Sequence, residues 1–471
     1  MNTPLYNILI KYSDEKIAFH MPGHKFGRAI ALNEINLALL DNTEVDGLDN
    51  LYEAEGIIKE ASILMAEFYG AKETIFLTNG STVGILTSIL TVCHPGDKIL
   101  VARNSHHSVW SGLILSGAVP IYINPKYKAD EDLLGEISLT DIKEAVERYP
   151  DLKAVILVSP TYEGIVSDIK GIADYLHQEN KILIVDEAHG AHFILGDEFP
   201  VSSVKLGADI VINSLHKTLP SLTQSALLHI CSERIEYRKV IGTLRMVQTS
   251  SPSYMMMGIM DYMRGYILEN RECILYSYAK QLIEMRESLK QLQHLKLIDF
   301  PGESYDRSKI IISTKETPID GHELAKWLDR DYNIVVEAAL NTYIILMSTL
   351  ADDQFTLNKL KDALVEIDNK LLTCTPREVM SNSFLENNIV KGMSPREVFY
   401  AKKKWCNIKD CLNKRIARHV MLYPPGIPII CLGERLTTET IHYIENLQEK
   451  LQGIKRENGT IQVEVLAGIY R

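Results

Sequence analysis

The 471-residue chain lacks most features that would place it in a specialised class. Its seven cysteines, at positions 93, 231, 273, 374, 406, 411 and 431, include no C-x-x-C pair. An odd count fits reduced thiols better than a disulfide framework, so a cytoplasmic setting is expected, and no metal site is read from the sequence. The first residues carry no basic stretch followed by a signal-length apolar core, and no run reaches membrane-spanning length. Basic residues are not in excess. The net charge of −11 argues against a broad nucleic-acid or anionic-membrane surface. There is no internal repeat, no low-complexity tract, and neither a Walker pattern nor a G-x-G-x-x-G fingerprint.

What remains is an ordinary soluble composition, 46% hydrophobic and 24% charged, with chain enough for several domains. Apolar, β-branched runs predict strands over 74–77, 98–101, 120–123, 154–158, 181–185 and 210–212. Helical spacing predicts helices over 57–69, after Gly84 through Val92, from 107, over 139–149 and near 172–179, with Gly70 placed to end the first. Such alternation implies an α/β fold with a mainly parallel sheet covered on both faces. Functional residues should then collect at the strands' carboxyl ends.

Two of those ends stand out. The run Ile210-Val211-Ile212 empties into Asn213-Ser214-Leu215-His216-Lys217, and the run over 181–185 ends in Asp186-Glu187-Ala188-His189. A lone lysine after a strand is usually a solvated loop residue, and an Asp there is often a helix cap. Together they suit Schiff-base chemistry, in which a lysine amine forms an imine with pyridoxal phosphate and an acid keeps the pyridine nitrogen protonated. The turn Thr78-Asn79-Gly80-Ser81-Thr82, between strand and helix, can aim backbone N–H groups at a phosphate, although such turns are more often simple caps. In Arg103-Asn104-Ser105-His106-His107, a flat imidazole is available to stack on a ring; its plainer alternative is a hydrogen-bonded loop histidine.

Residues 1 to about 50 look polar and irregular, with an ordered loop at Phe19-His20-Met21-Pro22-Gly23-His24-Lys25-Phe26-Gly27. The acidic stretch Thr43-Glu44-Val45-Asp46-Gly47-Leu48-Asp49 is either a solvated loop or the wall of a pocket for a cation. Past about 290 the pattern changes to a smaller α/β unit, with strands over 309–313, 334–337 and 342–347 and helices over 321–330 and 355–372. A C-terminal unit begins near 374 and carries a basic helix over 401–405 whose lysines read as a solvated face. The expected division is an N-terminal segment 1–50, a large domain 51–290, a small domain 291–373 and a C-terminal α+β domain 374–471.

Together the motifs resemble the bacterial ornithine/lysine/arginine decarboxylase family, with its aspartate-aminotransferase-type fold. The resemblance rests on His20-Met21-Pro22-Gly23-His24-Lys25, Asn79-Gly80-Ser81-Thr82, Arg103-Asn104-Ser105-His106, Pro160-Thr161-Tyr162, Asp186-Glu187-Ala188-His189-Gly190, Ser214-Leu215-His216-Lys217, Gln224-Ser225, Thr249-Ser250-Ser251-Pro252-Ser253-Tyr254 and Tyr423-Pro424-Pro425-Gly426-Ile427-Pro428. It implies a fold-type-I large domain and pyridoxal 5′-phosphate as cofactor. It also implies the short form without an N-terminal receiver-like domain, acting as a homodimer or higher homo-oligomer with sites at the subunit interface. The implied reaction is decarboxylation of arginine, lysine or ornithine to the amine, with the amino acid as small-molecule partner and neither nucleic acid nor membrane involved.

On that resemblance Lys217 holds the cofactor, Asp186 pairs with the pyridine nitrogen and His106 stacks on the ring. Gly80, Ser81, Thr82, Ser214 and His216 surround the phosphate, with Ser250 of a neighbouring subunit's 249–251 loop assisting. His189 lies in the same site, and Lys217 or His216 would return a proton to Cα. His107 departs from the lysine common after the stacking histidine. Glu44, Asp46, Asp49 and His24 are the candidates for the substrate side chain. Transamination or aldol cleavage would keep Lys217 and Asp186, and a silent cofactor-binding protein is the non-enzyme alternative.

Overall fold

The computed structural model describes residues 3–30, 32–300, 304–371, 392–422, 427–447, 451–457 and 459–468. Its centre is a seven-stranded sheet ordered Glu73–Leu77, Ala226–Ile230, Ile210–Asn213, Ile182–Asp186, Leu152–Val158, Lys98–Ala102, Val119–Ile123. Every pairing is parallel except those of Ala226–Ile230, which runs against both neighbours. The middle strands are apolar along their length because helices cover both faces, and all four residues of Ile210–Asn213 are buried. The helix Gly80–Val92 lies so close that a Cβ on Gly84 would stand 2.7 Å from Leu77 Cδ1 and 3.0 Å from Ile212 Cγ2. Among the described residues no helix is long and apolar enough to cross a membrane.

A 36-residue helix, Tyr254–Leu289, carries the chain to a second sheet. This one is antiparallel, ordered Lys296–Ile298, Lys309–Ser313, Tyr343–Met347, Ala338–Ala339. Its helices Gly321–Tyr332 and Gln354–Lys370 both start at aspartate capping boxes. The C-terminal region has its own core, built from the strands Lys403–Asn407, Val420–Leu422, Ile427–Ile430 and Thr460–Leu466 and the helix Thr438–Asn446.

Several expectations need correction. The lysines at 402–404 do not lie on a helix: Lys403–Asn407 is a strand paired with Thr460–Leu466, and the helix is the preceding Pro395–Tyr400, fixed by a Ser394 capping box. A five-residue basic run carries no reliable period, so partner pairing decided it. The N-terminal segment is not irregular throughout. It opens with the helix Pro4–Glu15, and Ile17–Phe19 pairs in parallel with Ile334–Val336, which therefore stands outside the four-stranded sheet. The helices Tyr237–Val247 and Tyr254–Leu289 and the strand Ala226–Ile230 were not foreseen. The boundary at 374 and residues 423–426 of the Tyr423 motif lie outside the described residues.

Candidate active site

Asp186 closes its strand in register with Ile212, so its carboxyl emerges beside the turn that begins at Ser214. Lys217 sits on a one-turn helix, Leu215–Thr218, closed by the Leu219 N–H donating to the Leu215 carbonyl at 2.8 Å. The His20–Lys25 loop supports this turn from beneath, the Gly23 N–H donating to the His216 carbonyl at 2.7 Å. A Cβ on Gly23 would stand 2.7 Å from the Leu219 carbonyl oxygen, so only glycine permits that approach. Lys25 is buried beneath, donating to the carbonyls of His20 and Met347, both at 2.9 Å.

The Lys217 amine lies 3.1 Å from His189 Nε2. Burial pushes its pKa down, and the charges of Asp186 and Glu337 partly restore it. Burial pushes the Asp186 carboxyl up while Lys217 pulls it down. Its visible support is one hydrogen bond, from the Ala188 N–H at 3.2 Å. His189 is held neutral by burial and by the cations around it, led by Lys217 and Lys309. Tyr162 meets its ring edge-on at 5.0 Å and donates to Glu337 Oε1 at 2.7 Å. His216 Nδ1 lies 3.2 Å from both Ser214 Oγ and the Ser225 carbonyl. His106 caps the helix His107–Ser116, its Nδ1 2.9 Å from Ser108 Oγ. Partial desolvation, with His107 and Lys217 nearby, keeps its ring on the neutral side.

The N-terminus of Gly80–Val92 follows the end of the strand Glu73–Leu77. Asn79 does not cap this helix with its side chain; its Oδ1 accepts instead from the Thr249 N–H at 3.2 Å. Gly80 has φ +75 and open space where a Cβ would stand, and Ser81 and Thr82 are half-buried. The hydroxyls of Thr218 and Ser221, just past Lys217, are buried without a partner. A helix end without a side-chain cap that carries the half-buried Ser81 and Thr82 suits a phosphate, and a buried carboxyl with little internal bonding suits a protonated ring nitrogen. The residues therefore fit pyridoxal phosphate.

The structure gathers Lys217, Asp186, His189, Ser214 and His216 into one site, and places Gly80, Ser81, Thr82 and His106 at ends of parallel strands of the same sheet. His24 lies in the supporting loop, with Nδ1 accepting from the Gly27 N–H at 3.0 Å, and it feels the His216 charge. The 249–251 loop contacts Asn79 of its own chain, and Ser250 is exposed at that rim.

Asp49 is otherwise engaged. Its oxygens accept the N–H groups of Asn50, Glu55, Gly56, Ile58 and Lys59 at 2.8–3.4 Å, which makes it the anchor of the helix Ile57–Tyr69. Glu44 and Asp46 are exposed, and Glu44 bonds Thr43.

Two site residues were missed. Lys309 heads an isoleucine run and reads as a solvated strand end, yet it is fully buried with its amine 3.2 Å from His189 Nδ1. Glu337 ends an apolar run and carries no signal of its own, yet it accepts from Tyr162 and from the Met21 N–H.

Comparison with known proteins agrees with this geometry. The profile of the Orn/Lys/Arg decarboxylase major domain matches residues 3–312, and that of the C-terminal domain matches 378–464. The chain belongs to the Orn/Lys/Arg decarboxylase family. It is 34% identical to an arginine decarboxylase of Bacillus subtilis, over 98% of this chain and 97% of that protein. In fold it is similar to the constitutive lysine decarboxylase of E. coli, with TM-score 0.79 and 18% identity, covering 98% of this chain and 82% of that one. It is also similar to L-threonine transaldolase of Pseudomonas fluorescens, with TM-score 0.61 and 16% identity, covering 78% and 87%. The mainly parallel sheet and these neighbours make the large domain a fold-type-I one.

Proposed function

We propose that this member of the family decarboxylates a basic amino acid with pyridoxal phosphate, and that arginine is favoured over lysine and ornithine. The carrying observation is the Lys217 amine, electrostatically coupled to the buried Asp186 carboxyl from the next strand end. The preference for arginine is supported by the near full-length similarity to the Bacillus arginine decarboxylase.

The bound cofactor supplies an electron-accepting ring for the pair left when CO2 departs. Lys217 would hold it covalently, and Asp186 would hold a proton on its ring nitrogen. Ser81, Thr82, Ser214 and the helix N-terminus would take the phosphate, and His106 would cover the ring face. His216 donates Nδ1–H to the Ser225 carbonyl, which leaves the Nε2 lone pair to take up a proton before passing it on; it and Lys217 are the two candidates to return a proton to Cα. Burial of the lysine keeps its amine unprotonated more readily, as attack on an aldehyde requires.

The test is to incubate the purified protein and cofactor with arginine, lysine and ornithine separately and to identify the amine and CO2. Agmatine from arginine is expected, and a keto acid instead of an amine would overturn decarboxylation. Lys217→Ala should abolish turnover and the visible absorbance of the lysine-bound cofactor. Asp186→Ala should lower kcat by on the order of a hundredfold or more while retaining some cofactor.

A further inference from the structure

The C-terminal region holds a pair of thiols and a lysine amine that the proposed reaction does not use. Cys406 lies on the strand Lys403–Asn407, and Cys411 follows the short turn Ile408–Asp410. The chain bends at Asn413, in the left-handed region at φ +62, and Lys414 then returns its amine to 3.3 Å from Cys406 Sγ. The backbone of this turn is pinned. The Lys414 N–H donates to the Cys411 carbonyl, and the Lys414 carbonyl accepts from the Leu436 N–H, both at 3.0 Å. Asn407 Oδ1 accepts from the Lys409 N–H at 3.1 Å.

The two thiols differ in access and in neighbours. Cys411 is buried, and its Sγ donates to the Asn407 carbonyl at 3.1 Å. Cys406 is half-buried and is the one that receives the Lys414 amine. A thiolate is the nucleophile, and an ammonium at hydrogen-bond distance favours that form. The hydrogen bond to Cys406 raises the Lys414 pKa, with the charges of Cys411 and Asp410 adding to it, so the amine stays charged. Burial, seconded by a side-chain contact with Cys406, pushes the Cys411 thiol up to about 12. Access and the lysine both single out Cys406, and Cys411 waits beside it as a thiol.

We propose that Cys406 and Cys411 form a reversible modification site for low-molecular-weight disulfides, with Cys406 attacking and Cys411 resolving. In the first step the Cys406 thiolate attacks one sulfur of the small disulfide; a mixed S–S bond forms as the old one breaks, and one small thiolate leaves. In the second step Cys411 attacks Cys406 Sγ. The Cys406–Cys411 bond forms, and the second small thiol departs with the proton that Cys411 gives up. The protein dithiol loses two electrons, and the small disulfide gains them as two thiols. Lys414 steadies the Cys406 thiolate before the first step and again when a reducing thiol reopens the bond. The site is independent of the decarboxylation reading, because none of its residues belongs to the Lys217 site.

The experiment incubates the reduced full-length protein with oxidised glutathione at neutral pH, quenches it with acid and an alkylating reagent, and maps the peptides by mass spectrometry. In the wild type a Cys406–Cys411 cross-link, lighter by two hydrogens, should form about tenfold faster than the glutathione adduct on Cys273, which is the exposed thiol. It should also form faster in the native protein than in the same protein unfolded in urea. Cys411→Ala should stop the reaction at a glutathione adduct on Cys406, and Cys406→Ala should leave Cys411 unmodified. Lys414→Met should slow the first step about tenfold, and Lys414→Arg should restore it. Modification of wild-type Cys406 no faster than that of Cys273 overturns the proposal without any variant. So does a cross-link that forms as fast in urea. A glutathione adduct that persists on wild-type Cys406 overturns the resolving role of Cys411, and a Lys414→Met rate equal to the wild type overturns the role of the lysine.

Discussion

At the scale of single residues, burial governs the chemistry. Lys217, Lys309, Asp186 and His189 share a dry region in which each charged form is costly, so their protonation states depend on one another. A cleaner case lies in the sheet, where His229 is fully buried with Nδ1 2.8 Å from Thr74 Oγ1 and burial lowers its pKa to about 3. In the unfolded chain an imidazole titrates near about 6.5. Between the two values the unfolded state binds a proton that the native state refuses. Stability is therefore intact above the unfolded value and falls as pH drops toward about 3, by up to about 1.4 kcal/mol per pH unit. Thermal unfolding against pH should show this acid limb, and His229→Leu should make it shallower by one proton. Lys217 and Asp186 were legible in sequence as candidates because each follows an apolar run. Lys309 and Glu337 were not, because a charge at a strand end ordinarily reaches water.

At the scale of elements, close approaches and caps decide the outcome. Asp49 holds five backbone N–H groups at the start of Ile57–Tyr69, and an amide cannot replace a carboxylate there without reorienting a donor toward them. Asp49→Asn should cost about 1–2 kcal/mol in denaturant unfolding and change the apparent affinities for arginine, lysine and ornithine equally. A selective loss for one substrate would place this acid in the pocket wall. Gly23→Ala drives a methyl against the Leu219 carbonyl and should displace the Lys217 turn, seen as weakened cofactor binding and about 1–3 kcal/mol of lost stability. The strand–helix alternation was readable because each element has one dominant period. The helix Tyr254–Leu289 was not, because no single face stays apolar along its 36 residues.

At the scale of the whole molecule, the C-terminal region is tied to the seven-stranded sheet through Arg103, which closes on Glu434 with its Nη1 and Nη2, at 2.5 and 3.2 Å, in a buried pair. Arg103 begins the turn that carries His106. Glu434→Gln should cost about 3–5 kcal/mol, because it leaves a buried guanidinium without its anion, and the loss should appear in cofactor retention as well as in thermal unfolding. By itself the sequence determined the α/β class, the parallel sheet and the strand-end residues Asp186, His189, Ser214, His216 and Lys217. These are properties of local periodicity and of chemistry placed next to a single strand. Only the tertiary structure decided that Ile17–Phe19 joins Ile334–Val336, that Asp49 caps a helix, and that Lys309 reaches His189 from a strand 120 residues away. Those contacts join segments with no common period, and only packing brings them within hydrogen-bond distance.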